Sequence, residues 1–290
     1  MDLTTLFCDV DDCVSYFKKE SITKIEHACK KYYRAPKLSE SEIMTICILF
    51  HQSNYRNFKS FYLEYVIKQL SSFFPNLVSY NRFIELKSSS LAILAAYLTS
   101  KFDKATGISY IDSTPIQVCK PKRMARNKTF KHIGKKGKST IGCFFGFKLH
   151  LIINERGGLL SVKVTTANTD DRTPVPNMIK NIFGKLFGDK GYISKKLSAN
   201  LLEKGVYLIT GIKKNMQNKL LLLKDKILLR KRSIIETVND QLNNISQIEH
   251  SRHRSVHNFM VNLLCGLIAY TLQPKKPSIT GINDKLLINT

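Results

Sequence analysis

Ile108-Ser109-Tyr110-Ile111-Asp112 is the stretch on which the reading of the fold turns. It is short, rich in β-branched and aromatic residues, and ends on an acid. Upstream, residues 1–104 read as helical throughout. Ser39 stands three residues before Glu42, the spacing of a capping box. Ile43, Ile46, Cys47 and Phe50 then recur at helical intervals, and Phe58, Phe61, Tyr62 and Tyr65 continue the pattern. Pro75-Asn76 marks a turn, and Tyr80 to Leu98 reads as further helix. Aromatics mixed with lysines here suit either a DNA-contacting module or an ordinary packed bundle.

Downstream of Asp112 the pattern changes. Residues 120–138 read as a basic polar loop. Phe144 to Ile153 and Leu159 to Thr165 are strand-like runs around Asn154-Glu-Arg-Gly-Gly158, a hairpin signal. Lys185-Leu-Phe-Gly188 leads into Asp189 as another short strand. A helix over 195–204, a strand over Val206 to Thr210 and a helix over 231–246 follow. The apolar run Val256 to Leu272 is broken by His257, Asn258 and Asn262. It falls short of the roughly 20 clean residues of a membrane span and reads as a buried core helix. Strands interleaved with helices predict an α/β class, a mixed sheet flanked by helices, behind an all-helical N-terminal domain. The expected division is 1–104 for the helical domain, 105–274 for the α/β domain and 275–290 for a loose tail.

The charge is lopsided. The chain of 290 residues carries 46 Lys and Arg against 22 Asp and Glu, a net of +24. Residues 1–104 account for only +3 of it and residues 105–290 for +21. Such a segment repels itself unless a polyanion neutralises it, and nucleic acid gains affinity by releasing counterions. The seven cysteines are odd in number and contain no CxxC pair, which argues against a disulfide framework or a zinc site. They read as buried thiols in a reducing cytoplasm. No secretory leader is expected, since acidic residues and broken apolar runs follow Met1.

Between residues 104 and 260 there are ten acids, and most have ordinary explanations. Glu155 falls in the hairpin turn. Asp170 and Asp171 fit a helix N-terminus before Pro174. Glu203, Asp225, Asp240 and Glu249 fit solvated helix faces. Asp112 and Asp189 remain, each following an apolar strand, where sites form in open α/β sheets. On the helix over 231–246, Ile234, Val238, Leu242 and Ile245 share one stripe, and Arg232, Glu236 and Asn243 share the opposite one. Glu236 is thus a third candidate, against the plainer reading of an exposed Arg232–Glu236 pair. Three carboxylates of this kind suit two divalent ions in phosphodiester chemistry.

Ser113 to Asn154 contains no acid and ten cations: Lys120, Lys122, Arg123, Arg126, Lys128, Lys131, Lys135, Lys136, Lys138 and Lys148. Gly134 and Gly137 make the segment supple, and Phe130 with His132 is expected to stack on bases. A cationic segment leaving the Asp112 strand would guide a DNA backbone, mostly through phosphates. Lys190, Arg232, Arg252 and Arg254 are further expected DNA contacts.

Together these motifs resemble an insertion-sequence transposase of the DDE superfamily, close to the family numbered nine-eight-two. The resemblance rests on Leu38-Ser-Glu-Ser-Glu-Ile-Met-Thr-Ile, His51-Gln-Ser-Asn-Tyr-Arg-Asn-Phe, Phe74-Pro-Asn-Leu-Val-Ser-Tyr-Asn-Arg-Phe and Tyr110-Ile-Asp-Ser-Thr-Pro. It continues through Gly146-Phe-Lys-Leu-His, Gly188-Asp-Lys-Gly-Tyr, Ile235-Glu, Ile248-Glu-His-Ser-Arg-His-Arg-Ser and Pro274-Lys-Lys-Pro-Ser. It implies a ribonuclease-H-like fold with Asp112, Asp189 and Glu236 as catalytic, metal-holding acids. It also implies two Mg²⁺ ions, with Mn²⁺ as a substitute. The activity implied is recognition of terminal inverted repeats, cleavage at the element's ends and transfer of the freed 3′ hydroxyl into target DNA. Double-stranded DNA, as ends and as target, would be the partner. At least two protomers would assemble on paired ends, at the nucleoid and without a membrane. The pattern Y-x2-R-x3-E-x6-K common in such enzymes is met here by Arg232 and Glu236. Leu229 and Asn243 stand in place of its tyrosine and lysine. Lys231 or Arg252 would then take over the lysine's DNA contact. The other readings are a catalytically inactive or repurposed DNA-binding protein and a ribonuclease-H-like nuclease that only hydrolyses.

Overall fold

The computed structural model describes residues 2–22, 37–139, 142–213, 215–216, 220–248 and 253–279. The longer helices are α1 (Leu3–Ile22), α2 (Glu40–Gln52), α3 (Leu91–Ser100), α4 (Lys195–Glu203), α5 (Leu223–Arg230), α6 (Ser233–Asn244) and α7 (Val256–Thr271). The strands are β1 (Ile108–Cys119), β2 (Lys135–Ser139), β3 (Gly142–Asn154), β4 (Leu159–Thr166), β5 (Gly184–Gly188) and β6 (Val206–Thr210).

Packing divides the chain into two compact units, 1–101 with 242–274, and 102–241 with 275–290. This differs from the contiguous division read from the sequence. The apolar α7 packs on α2 and α3, so it belongs with the N-terminal helices. Burial explains the regrouping: ten residues of α7, from Phe259 to Tyr270, are buried, and the helices of the first unit cover them. The capping box at α2 forms as the spacing predicts. Ser39 Oγ accepts from the Glu42 N–H at 3.1 Å, and Glu42 accepts from the Ser39 N–H at 2.6 Å. The expected helix from Tyr80 to Leu98 is broken instead into Tyr80–Leu86, a 3₁₀ turn at Lys87–Ser90, and α3. Several of the aromatics among the lysines are core residues: Phe61, Tyr62 and Phe83 are buried, with Tyr62 and Phe83 rings 4.7 Å apart, while Tyr16 and Phe73 are exposed. No described helix is long and apolar enough to cross a membrane.

The second unit is built on one mixed sheet flanked by helices. Its order is β2-β3-β1-β5-β6, with β4 also paired to β3. β3 is long enough for two partners on one edge: β2 along Gly142–Gly146 and β4 along Phe147–Ile153. β1 runs antiparallel to β3 and parallel to β5, and β5 runs parallel to β6. The β3–β4 turn closes on Asn154, whose carbonyl accepts from the Gly157 N–H at 3.1 Å. Gly157 sits there at φ 71, a conformation that favours glycine. One face of the sheet is sealed by Ile111, Ile152, Leu186 and Val206 against Val175, Ile179, Tyr192, Leu197 and Leu201.

The structure corrects several sequence expectations. Residues 120–138 are no simple loop: a 3₁₀ turn spans Pro121–Arg126, and β2 adds an edge strand. Phe130 cannot stack on a base, because it is fully buried with its ring against Phe147. Asp225 does not face solvent; it is buried and paired with Lys185 at 2.8 Å. Glu155 is buried and accepts from the Thr106 hydroxyl. Asp171 caps no helix and instead binds the Lys148 ammonium at 2.9 Å. Ile245 is exposed, since α6 ends at Asn244. Of the described thiols only Cys47 and Cys265 are buried; Cys8 and Cys143 are exposed. The tail is pinned at its start, where the Ile279 N–H donates to the Glu155 carbonyl at 2.9 Å. Its residues from 280 onward, and Glu249, lie outside the described residues.

Candidate active site

The parallel register brings the two aspartates together. Tyr110 pairs with Phe187, so continuing the register by two residues places Asp112 opposite Asp189. Asp112 is therefore not at the end of its own strand, which runs on to Cys119. It lies where β5 stops, and Asp189 is the first residue past β5. Two glycines shape this corner. A Cβ at Gly188 would press on the Tyr192 ring at 3.1 Å and on Ile111 at 3.2 Å. The Gly191 N–H donates to Asp189 Oδ1 at 2.8 Å and fixes that carboxylate.

Asp112 is half-buried, and burial pushes its carboxyl up to about 6. A hydrogen bond from the Ser113 backbone and the charge of Arg232 pull it back, while Asp189 and Glu236 push it further up. Tyr192 is buried beside the same charges. Burial, then Asp112, Asp171 and Asp189, raise its hydroxyl.

Helix α6 supplies the third acid and one residue that sequence reading missed. Glu236 is exposed, and Arg232 Nη2 lies 2.7 Å from its Oε1. One turn on, Asn239 Nδ2 donates to Asp112 Oδ2 at 3.3 Å. Asn239 lies at the rim between the polar stripe and buried Ile235, Val238 and Leu242. A neutral amide on the edge of an apolar stripe was the available signal. Asn243, one turn further, is half-buried, and its Oδ1 is buried without a hydrogen-bond partner.

The donor set is all oxygen, two carboxylates and an amide, which suits a hard divalent cation rather than zinc. Among the described residues no three His, Cys, Asp or Glu side chains stand close enough to hold a metal ion. Glu236 is engaged instead by Arg232.

Of the expected DNA contacts, Lys120, Lys122, Arg123, Arg126, Lys128, Lys131, Lys135, Lys136 and Lys138 are exposed. Lys190 is exposed beside Asp189, and Arg254 is exposed in the helical unit. Lys148 is not a free cation: its ammonium donates to the Thr169 carbonyl and to Asp171, both at 2.9 Å. Arg252 lies outside the described residues.

Residues 102–256 match the family model described as Transposase DDE domain. The match spans more than half of the chain, and the chain belongs to that family. Membership makes it a transposase by class, a nucleic-acid-cleaving enzyme whose partner is DNA. No curated protein matches it.

Proposed function

We propose that the chain is an insertion-sequence transposase that binds terminal inverted repeats, cleaves at the element's ends and joins the freed 3′ hydroxyl to target DNA. The observation that carries this reading is the parallel β1–β5 register, with Tyr110 opposite Phe187 two residues before Asp112 and Asp189, and the Asn239 amide of α6 on Asp112. The sheet order β4-β3-β1-β5-β6, antiparallel on one side of β1 and parallel on the other, supports a ribonuclease-H-like fold. Asp112, Asp189 and Glu236 would hold two Mg²⁺ or Mn²⁺ ions. When bound, such ions stabilise charge on the attacking and leaving oxygens of a phosphodiester. Glu236 must first leave Arg232, a surface pair worth only about 0.5 kcal/mol. Arg232 is then free to meet a phosphate. The exposed cations from Lys120 to Lys138 would hold the backbone of the DNA. Assembly of two or more protomers on paired ends, and action at the nucleoid, belong to the same proposal.

The Arg232–Glu236 pair also favours a second reading, a DNA-binding protein without catalysis. One experiment separates the two. The full chain is incubated with labelled insertion-sequence ends and Mg²⁺, and 3′ nicks and joined products are resolved. Both products are expected from the wild type and neither from Asp112→Ala, Asp189→Ala or Glu236→Ala. Salt-sensitive binding with no metal-dependent product selects the second reading, and nicks without joining select a hydrolytic nuclease.

A further inference from the structure

Asn239 is the one side chain of α6 that the structure places on a catalytic aspartate. Its Nδ2 donates to Asp112 Oδ2 at 3.3 Å. The residue is only 9% exposed, and its Oδ1 is buried without a hydrogen-bond partner. A buried amide oxygen left unpaired is costly, because it has given up water without gaining a partner. Bound water or a cation is the usual partner of such an atom. The group that donates to the carboxylate and the group left unpaired belong to the same amide. Glu236, one turn earlier on the helix, is paired with Arg232.

We propose that Asn239 is a positioning residue that orients Asp112 and offers its Oδ1 to the divalent ion at that site, directly or through a bound water. The inference rests on the metal-dependent reading above and adds a residue to it. The amide does two things. The Nδ2–H fixes which Asp112 oxygen stays free for the cation. The Oδ1 adds a neutral oxygen donor of the kind hard cations accept. Neighbours that orient a metal's carboxylates are often worth about ten- to a hundredfold in affinity.

The test measures Mn²⁺ binding to the full chain without DNA, by titration calorimetry and by the spin-resonance signal of free Mn²⁺. Asn239→Ala is expected to weaken Mn²⁺ by about tenfold, the lower end of the range for such neighbours. Asn239→Leu, which keeps the volume and removes both amide groups, is expected to weaken Mn²⁺ by a similar factor. Equal Mn²⁺ affinity in the wild type and Asn239→Ala overturns the assignment and leaves the cleavage reading standing. Should Asn239→Ala fail to fold, Asn239→Leu decides alone, and Mn²⁺ affinity equal to wild type overturns the assignment. A wild-type chain that binds no Mn²⁺ overturns both.

Discussion

Removing the Asp225 carboxylate is expected to loosen the second unit by an amount that the structure bounds. Asp225 lies on α5 and is buried, with its carboxylate 2.8 Å from the Lys185 ammonium on β5. Breaking a fully buried pair strands a charge and costs about 3–5 kcal/mol. Lys185 retains 26% side-chain exposure, so water can solvate part of the stranded ammonium. About 2–3 kcal/mol should remain for Asp225→Ala. At about 2–4 °C per kcal/mol, the melting temperature should fall by about 4–12 °C. Urea unfolding followed by far-ultraviolet circular dichroism reads the same loss. The double variant Lys185→Met with Asp225→Leu should recover most of it, since an apolar pair of similar volume leaves no charge behind. The effect reaches the site, because α5 leads almost at once into α6 and so fixes where Arg232, Glu236 and Asn239 emerge. An Asp225→Ala protein within about 0.5 kcal/mol of wild type would refute the reasoning, as surface substitutions behave this way. So would a double variant no more stable than the single one.

Three further outcomes are expected. Burial pulls the fully buried His150 imidazole from 6.5 down to about 4, so the folded state holds it neutral. Its contribution is complete above pH 6.5 and is lost as the pH falls toward 4, by about 3 kcal/mol in all; unfolding of His150→Gln should lack that loss, and parallel pH curves would contradict it. Neutralising Lys122, Arg123 and Arg126 together should flatten the salt dependence of DNA binding, by roughly one unit of slope for each phosphate no longer neutralised, with no change in melting temperature. A Cβ at Gly146 would stand 2.1 Å from the Ile116 carbonyl oxygen, so Gly146→Ala should part β3 from β1 and lower the urea midpoint well below that of any surface variant.

Asp189 is legible as the acid that closes a short strand, whereas Asp112 is picked out by the same signal although β1 runs on past it to Cys119. The register that joins them is not legible, since parallel pairing depends on contacts between segments far apart in the chain. Asp225 shows the same limit. Its helix is amphipathic enough to suggest a solvated acid, and only the fold brings Lys185 to it. Phe130 was misread for the complementary reason. A lone aromatic in a cationic segment resembles a base-stacking residue until Phe147 is placed beneath it. The helical unit was legible in type and not in membership. Nothing local in α7 tells whether it covers the sheet or the helices, and the choice is made by which apolar surface remains open.

The charges around Asp112 explain why Glu236 is paired with Arg232. The Asp189 charge acts on Asp112, and burial, the largest cause, together with the neighbouring charges brings Asp112 up to about 6. Bringing Glu236 against them without a cation would add a third negative charge where water is partly excluded. The chain meets this by giving Glu236 an internal cation, Arg232, on the exposed side of α6. It gives Asp112 a neutral donor, Asn239, on the buried side. A divalent ion removes the reason for both arrangements at once. Glu236 then gains more from the ion than from a screened guanidinium, and Asn239 gains a partner for its unpaired oxygen. Metal binding and the release of Arg232 should therefore be one coupled step. Replacing Arg232 with Gln should tighten Mn²⁺ in the absence of DNA while weakening the binding of DNA itself. If both affinities fell together, Arg232 would be supporting the helix rather than holding Glu236 in reserve.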